Sequence, residues 1–154
     1  MTLKNMKTDK GFTIVELLIV IVIIGILAAI TIVAYNGIQN RGKLSSAQSA
    51  ANIIVKKAEA YNAVKGTYPV SAAEFADTNV KEANIAGQGT SLLAAATALD
   101  ASNGTNSVKY EVCTTGGPGA RIQYFDYVAN TASGKYVYAG STCTAWAAAF
   151  AVAG

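Results

Sequence analysis

The chain has 154 residues, 52% of them hydrophobic and 14% charged, with 12 Lys plus Arg against 9 Asp plus Glu and a formal charge of +3, so one domain of ordinary size is expected. It has no histidine and only two cysteines; the commonest general base and neutral metal ligand are missing, which argues against catalysis, a structural zinc site or any cofactor. Three lysines, Lys4, Lys7 and Lys10, share the first ten residues with Asp9, and beyond Gly11 nine basic residues meet eight acidic ones, without the concentrated basic face of a nucleic-acid-binding protein.

From Leu17 to Ala34 only Thr31 interrupts a run of Leu, Ile, Val, Ala and one glycine, Gly25, and Phe12 to Val15 extend it toward the N-terminus. At about 1.5 Å per residue such a helix is long enough to cross a bilayer. Its Ile and Val content would also suit buried strands, but its length and lack of turn residues favour a membrane helix. The lysines ahead of it place the N-terminus in the cytoplasm and the rest of the chain outside. A secretory signal peptide fits less well, because the run is too long and Ala28, Ala29 and Ala34 offer no clean small-x-small cleavage site. Glu16 stands near the start of the run, where an ionised carboxylate costs about 2.5 to 3.5 kcal/mol. Either it reaches toward headgroups at the interface, or it pairs with a cation brought by another subunit into an apolar bundle.

The segment Lys10-Gly11-Phe12-Thr13-Ile14-Val15-Glu16-Leu17-Leu18 resembles the processing site of type IV prepilins and pseudopilins. The likeness is close from Lys10 to about Asn36 and recurs locally at Lys65 to Pro69. It implies a leader over residues 1–11 that a prepilin peptidase cuts after Gly11, an N-methylated Phe12 as first residue of the mature subunit, and Glu16 pairing with the Phe12 amine of a neighbouring subunit. The chemistry is coherent: the cut turns the Phe12 nitrogen into a cation, and a misregistered charge inside an apolar bundle is costly, so the pair sets filament register. Implied partners are other copies in a helical filament, the peptidase, a membrane assembly platform, and the membrane itself before assembly, with nucleic acid a weak prospect. The implied location is single-pass in the inner membrane and then extracellular. The short leader and phenylalanine start look like the type IVa class, so a pilus subunit is the leading reading. A minor pilin or type II secretion pseudopilin is the alternative, and a signal-anchored binding protein that never polymerises is a further one. Many family members carry a proline within the membrane helix; here Gly25 and Thr31 are the only weak points, glycine costing about 1 kcal/mol in a helix interior.

After Tyr35 the polar residues Asn36, Gly37, Gln39, Asn40, Arg41 and Gly42 mark a break or a flexible point in a longer helix. Leu44, Ala47, Ala51, Ile54, Ala58 and Tyr61 then recur at spacings of three and four, an apolar stripe that argues for continuation. The expectation is one helix from near Thr13 to Val64, with residues 12–35 as anchor and residues 36–154 forming a head outside the membrane. Gly66 and Pro69 stop the helix. Ser71 and Glu74 fit a capping box for a short helix over 72–76, and a second short helix is expected over 92–99. Asp100 and Asn103 suggest calcium ligands only weakly, since the loop lacks an ordered series of acidic oxygens.

Strand signals fall at Ser107 to Cys113, Arg121 to Val128 and Lys135 to Ala139, predicting an antiparallel meander of three or four strands on the helix stripe, an α+β head. Tyr110, Tyr124, Tyr127, Tyr136 and Tyr138 are read as cross-strand packing in preference to a base-stacking platform. Outside the cytoplasm Cys113 and Cys143 are expected to form a disulfide, two free thiols being the alternative. The first and third strands of a meander lie about 9.6 Å apart, beyond the roughly 7 Å reach of a disulfide. Gly140 to Thr142 must therefore carry Cys143 back across the sheet end. The alanine-rich tail from Thr144 to Gly154 is too short to span a membrane; Trp146 and Phe150 anchor it to the head or to the next subunit.

Overall fold

A computed structural model describes residues 11–141 and 143–150. Lys4, Lys7 and Lys10, Thr142 and the last four residues of the tail lie outside the described residues. The chain divides into two compact units between Ile38 and Gln39. The helix α1, Ile14–Lys65, contributes residues to both.

In the first unit the helix runs through Gly25, Thr31 and the Asn36-Gly37 pair without interruption. Thr31 closes on its own backbone, its Oγ1 donating to the Ala28 carbonyl at 2.9 Å, so its hydroxyl is satisfied inside the helix. Every described residue up to Gln39 is exposed. Among the described residues α1 is the one helix long and apolar enough to cross a membrane.

The second unit buries what the first displays. Ala47, Ala50, Ala51, Ile54, Ala58 and Tyr61 form the buried stripe of α1, their spacing placing them on one face. Four of them, Ala50, Ala51, Ile54 and Ala58, join Tyr68, Phe75, Ile85 and the inward residues of the sheet in the main core. The helix stops at Gly66, whose N–H donates to Asn62 O at 2.8 Å with φ +76°, a left-handed conformation that glycine adopts without cost.

Beyond the helix, side-chain periodicity gives way to local turn chemistry. Of the capping box at Ser71 and Glu74 only one half forms. The Glu74 carboxylate accepts from the amides of Val70 and Ser71, but the Glu74 amide bonds the Ser71 carbonyl at 3.3 Å. The result is a single 3-10 turn, Glu74–Ala76. A second, Lys81–Ala83, follows. The helix expected over 92–99 is absent. Ser91–Leu92 is instead a strand, β1, running parallel to β2, Ser107–Thr115, and Leu93 and Ala95 continue outward through bonds to Val108 and Ala149. Burying Leu92 against Val108 outweighed the helix propensity of the alanines, which on its own is a weak prior.

β2 continues into the antiparallel partners β3, Gly119–Gln123, and β4, Tyr136–Gly140, the expected meander. The head is therefore α+β, with a sheet that is mixed because of β1. The middle strand ends at Gln123 and not at Val128. Asp126 terminates it: its Oδ1 accepts from the amides of Val128 and Ala129, both at 2.9 Å, and its Oδ2 lies 3.0 Å from Lys135 Nζ. An aspartate that bonds its own following amides makes a turn. After β4 the chain returns to the far side of β2, where β5, Ala145–Trp146, pairs antiparallel with it and Ala147 N donates to Val112 O at 2.8 Å. That return joins Cys113 to Cys143 with Cα atoms 5.7 Å apart, within the reach of a disulfide.

Candidate functional site

The candidate site is the start of α1. Gly11 and Phe12 precede the helix, and Phe12 is 86% exposed. Thr13 starts the helix: its carbonyl accepts from Leu17 N at 3.3 Å. Its hydroxyl accepts from Glu16 N at 3.2 Å, while the Glu16 carboxylate accepts from Thr13 N at 2.9 Å and from Thr13 Oγ1 at 2.7 Å. This is a reciprocal capping box, Thr-x-x-Glu. It satisfies two of the helix's orphan amides and places a carboxylate at the positive end of the helix dipole. Sequence reasoning concentrated on Glu16 and missed Thr13, although a threonine three residues before a glutamate at the head of an apolar run is the signature of such a box.

The geometry keeps the Gly11-Phe12 peptide outside the helix. Among the described residues, a Cβ built on Gly11 would meet nothing within 4 Å. Glu16 is the only acidic side chain between Gly11 and Ala58. Every other described surface of the first unit is apolar or small, apart from the hydroxyls of Thr13, Thr31 and Tyr35 and the amide of Asn36.

In the head, the sequence-derived candidates resolve into structural roles. Asp100 and Asn103 cap a 3-10 turn, Ala101–Asn103. The Asp100 carboxylate accepts from Ser102 Oγ and Ser102 N, and Asn103 Oδ1 accepts from Asp100 N at 2.7 Å. The Ser102 hydroxyl, then its amide, hold the Asp100 carboxyl below the usual carboxylate range. Among the described residues no group of three or more metal-ligating side chains occurs. Of the tyrosines, Tyr110 and Tyr127 are buried and stack edge-on against Phe75 and Phe125 at 5.0 Å each. Tyr138 is 61% exposed and belongs to the other face of the sheet. Phe150 anchors the tail on the core side, its ring 5.4 Å from that of Tyr110.

Comparison with known proteins matches residues 6–32 to the family described as "Prokaryotic N-terminal methylation motif". The chain is 43% identical over 63 residues to fimbrial protein EcpC of Eikenella corrodens, covering 41% of each chain. It is 42% identical over 73 residues to a fimbrial protein of Pseudomonas aeruginosa, covering 47% of each, and 51% identical over 47 residues to a fimbrial protein of Moraxella nonliquefaciens, covering 30% of each. The chain thus spans less than half the length of the curated relatives it matches. No solved structure matches it significantly. The methylation motif, the fimbrial relatives and one long apolar N-terminal helix followed in the chain by a small sheet support a likeness to the type IV pilin family.

Proposed function

We propose that the chain is the structural subunit of a type IV pilus filament. Residues 1–11 act as a leader that prepilin peptidase removes after Gly11, and Phe12 becomes the N-methylated first residue. Residues 12–35 hold the subunit in the cytoplasmic membrane with residues 36–154 outside, until the assembly platform passes it into the filament. There Glu16 pairs with the Phe12 amine of a neighbouring copy. The family is one of structural fimbrial proteins, and the fimbrial relatives support this role.

The observation that carries the reading is the first unit itself: an exposed apolar helix surface with one carboxylate, four residues after the Gly11-Phe12 pair. Such a surface is stable in lipid or against other apolar helices, not in water. A lone carboxylate in that setting is tolerated when a cation meets it. Thr13 holds the Glu16 carboxylate in the free subunit, and the incoming amine replaces those bonds with a stronger charge-assisted one.

Intact-mass and N-terminal analysis of material sheared from the cell surface tests the proposal. The expected product begins at N-methylated Phe12 and is two hydrogens lighter than the reduced sequence. An unprocessed chain confined to the membrane fraction would replace the filament reading with that of an anchored surface receptor.

A further inference from the structure

The chain has a single tryptophan and one disulfide, and the fold sets them side by side. Trp146 of β5 stands directly opposite Cys113 of β2, a cross-strand pairing that brings Cβ atoms to about 4.5 to 5.5 Å. Cys143, Trp146 and Tyr138 line one open cleft of about 270 Å³. The Tyr138 ring centroid is 6.1 Å from that of Trp146. Buried tyrosines usually give their hydroxyl a partner, but Tyr138 leaves 61% of itself in solvent, where water takes that role. An indole is thus in reach of both an S–S bond and a wet phenol.

We infer that Trp146, Tyr138 and the Cys113–Cys143 bridge form a photoreactive site, at which ultraviolet light absorbed by the indole opens the disulfide and Tyr138 supplies the electron. An excited indole is a strong one-electron reductant, and a disulfide accepts an electron into its S–S bond. Transfer leaves an indole radical cation and a disulfide radical anion. The S–S bond of the anion breaks, giving a thiolate on one cysteine and a thiyl radical on the other, and the thiolate takes a proton from water. The separation lasts only if the electron does not return. Tyr138 prevents the return: it gives an electron to the indole cation and its hydroxyl proton to solvent, which restores Trp146 and leaves a tyrosyl radical. The net change is one hydrogen atom moved from the Tyr138 hydroxyl to one cysteine sulfur. Tyr110 and Tyr127 are unsuited to that part, since their hydroxyls are buried with no hydrogen-bond partner among the described residues to take the proton. The Arg121 guanidinium, its carbon 4.8 Å from the Trp146 ring centroid, disfavours a cation on that ring. Glu111 bonds the same guanidinium through Nε and offsets its charge. Opening the bridge removes the one covalent tie between β2 and the segment that leads into β5. The inference is independent of filament assembly.

The full chain, held in oxygen-free micelles of a zwitterionic detergent, is irradiated at the long-wavelength edge of tryptophan absorption, where tyrosine is transparent, and trapped at once with N-ethylmaleimide. Peptide mass mapping is expected to find the label on Cys113 or Cys143, with none in a sample kept dark. Trp146→Phe, which removes the absorber, abolishes the labelling at the same dose. Tyr138→Phe, which keeps the ring and removes the transferable proton, lowers its initial yield several-fold. Intact mass and an unchanged melting temperature in the dark show that each variant keeps the bridge and the head. A second reading needs no substitution: reducing the bridge of the parent in the dark with a phosphine raises Trp146 emission, because the neighbouring electron acceptor is gone. No label after irradiation, equal label in Trp146→Phe, or emission that dark reduction leaves unchanged overturns the inference. So does a yield that Tyr138→Phe leaves at the parent's level.

Discussion

Ile54, Ile85 and Ile122 in the second unit are no more than 2% exposed, whereas Ile14, Ile19 and Ile24 in the first are 86%, 51% and 59% exposed. The residue type is the same and the solvent assignment is opposite. At about 25 cal/mol per Å² of apolar surface removed from water, the head completes its own burial when the chain folds. The first unit has its burial completed by something other than the chain, lipid first and neighbouring helices later in the proposed reading. A substitution in the first unit should therefore change where the molecule goes, and one in the second should change whether it folds.

The largest expected effect tests that division at Glu16. Glu16→Ala should abolish filaments while membrane insertion and the thermal melt of the head stay as in the parent. Shear yield of surface filaments and a membrane fractionation check it, and normal filaments would sink the pairing model. The Thr13→Ala variant sharpens it. Removing the cap should cost the helix start about 1 kcal/mol and leave the head untouched, measurable as greater amide exchange near Glu16 alone.

Within the head the strongest effect should come from the disulfide. Cys113→Ser with Cys143→Ser opens a loop spanning a sequence separation of 30, which on the chain-entropy model removes roughly 3 to 4 kcal/mol. Denaturant unfolding of the head would show it, with helix content of the first unit unchanged. Next is Gly140→Ala. Gly140 has φ +78°, and a Cβ there would lie 2.5 Å from Pro118 O and 2.6 Å from Tyr68 Oη. Backbone strain and overpacking together should cost about 2 kcal/mol or more.

A smaller effect, with a sign that depends on pH, belongs to Asp126. The amide of Ala129, then Lys135 and the amide of Val128, hold its carboxyl below the usual range. Its folded pKa lies below its unfolded one, so its contribution is present above about pH 4 and is lost as pH falls through the folded value. Asp126→Asn should flatten the acid limb of the stability curve without moving filament yield. The smallest effect should be a gain. Among the described residues Tyr110 Oη is buried without a hydrogen-bond partner, and burial pushes its phenol well above the usual value. Tyr110→Phe removes a desolvated hydroxyl and should stabilise the head by about 1 kcal/mol.

The long elements were legible in the sequence because they repeat one physical demand many times. Ala47, Ala51, Ile54, Ala58 and Tyr61 place one face of a helix inward five times over, and Gly66 with Pro69 ends it unambiguously. The short elements were not, because each is decided by one or two contacts that lie far apart in the chain. Leu92 is a strand because Val108 stands beside it, and Gln123 is a strand end because Asp126 bonds its own successors. At the candidate site the same contrast holds on a smaller scale. Glu16 stands out as a carboxylate in an apolar run and Gly11 and Phe12 through the resemblance to a prepilin processing site, while Thr13 is visible only to a reading that asks where the first amides of the helix find acceptors.

The return of the chain after β4 has a consequence for the order of events during export. In the proposed topology, with the N-terminus held in the cytoplasm, the head crosses the membrane from residue 36 onward and delivers β2 and β3 well before β5. Until Ala145 and Trp146 emerge, the far side of β2 is covered only at Ser107 and Val108 by the two residues of β1. An open strand side is a template for pairing with another chain. β5 therefore acts as the closure of that side, and Cys143, just ahead of it, fastens the closure to β2 as it arrives. Delay in oxidation outside the membrane should accordingly lengthen the period in which newly exported heads can pair edge to edge.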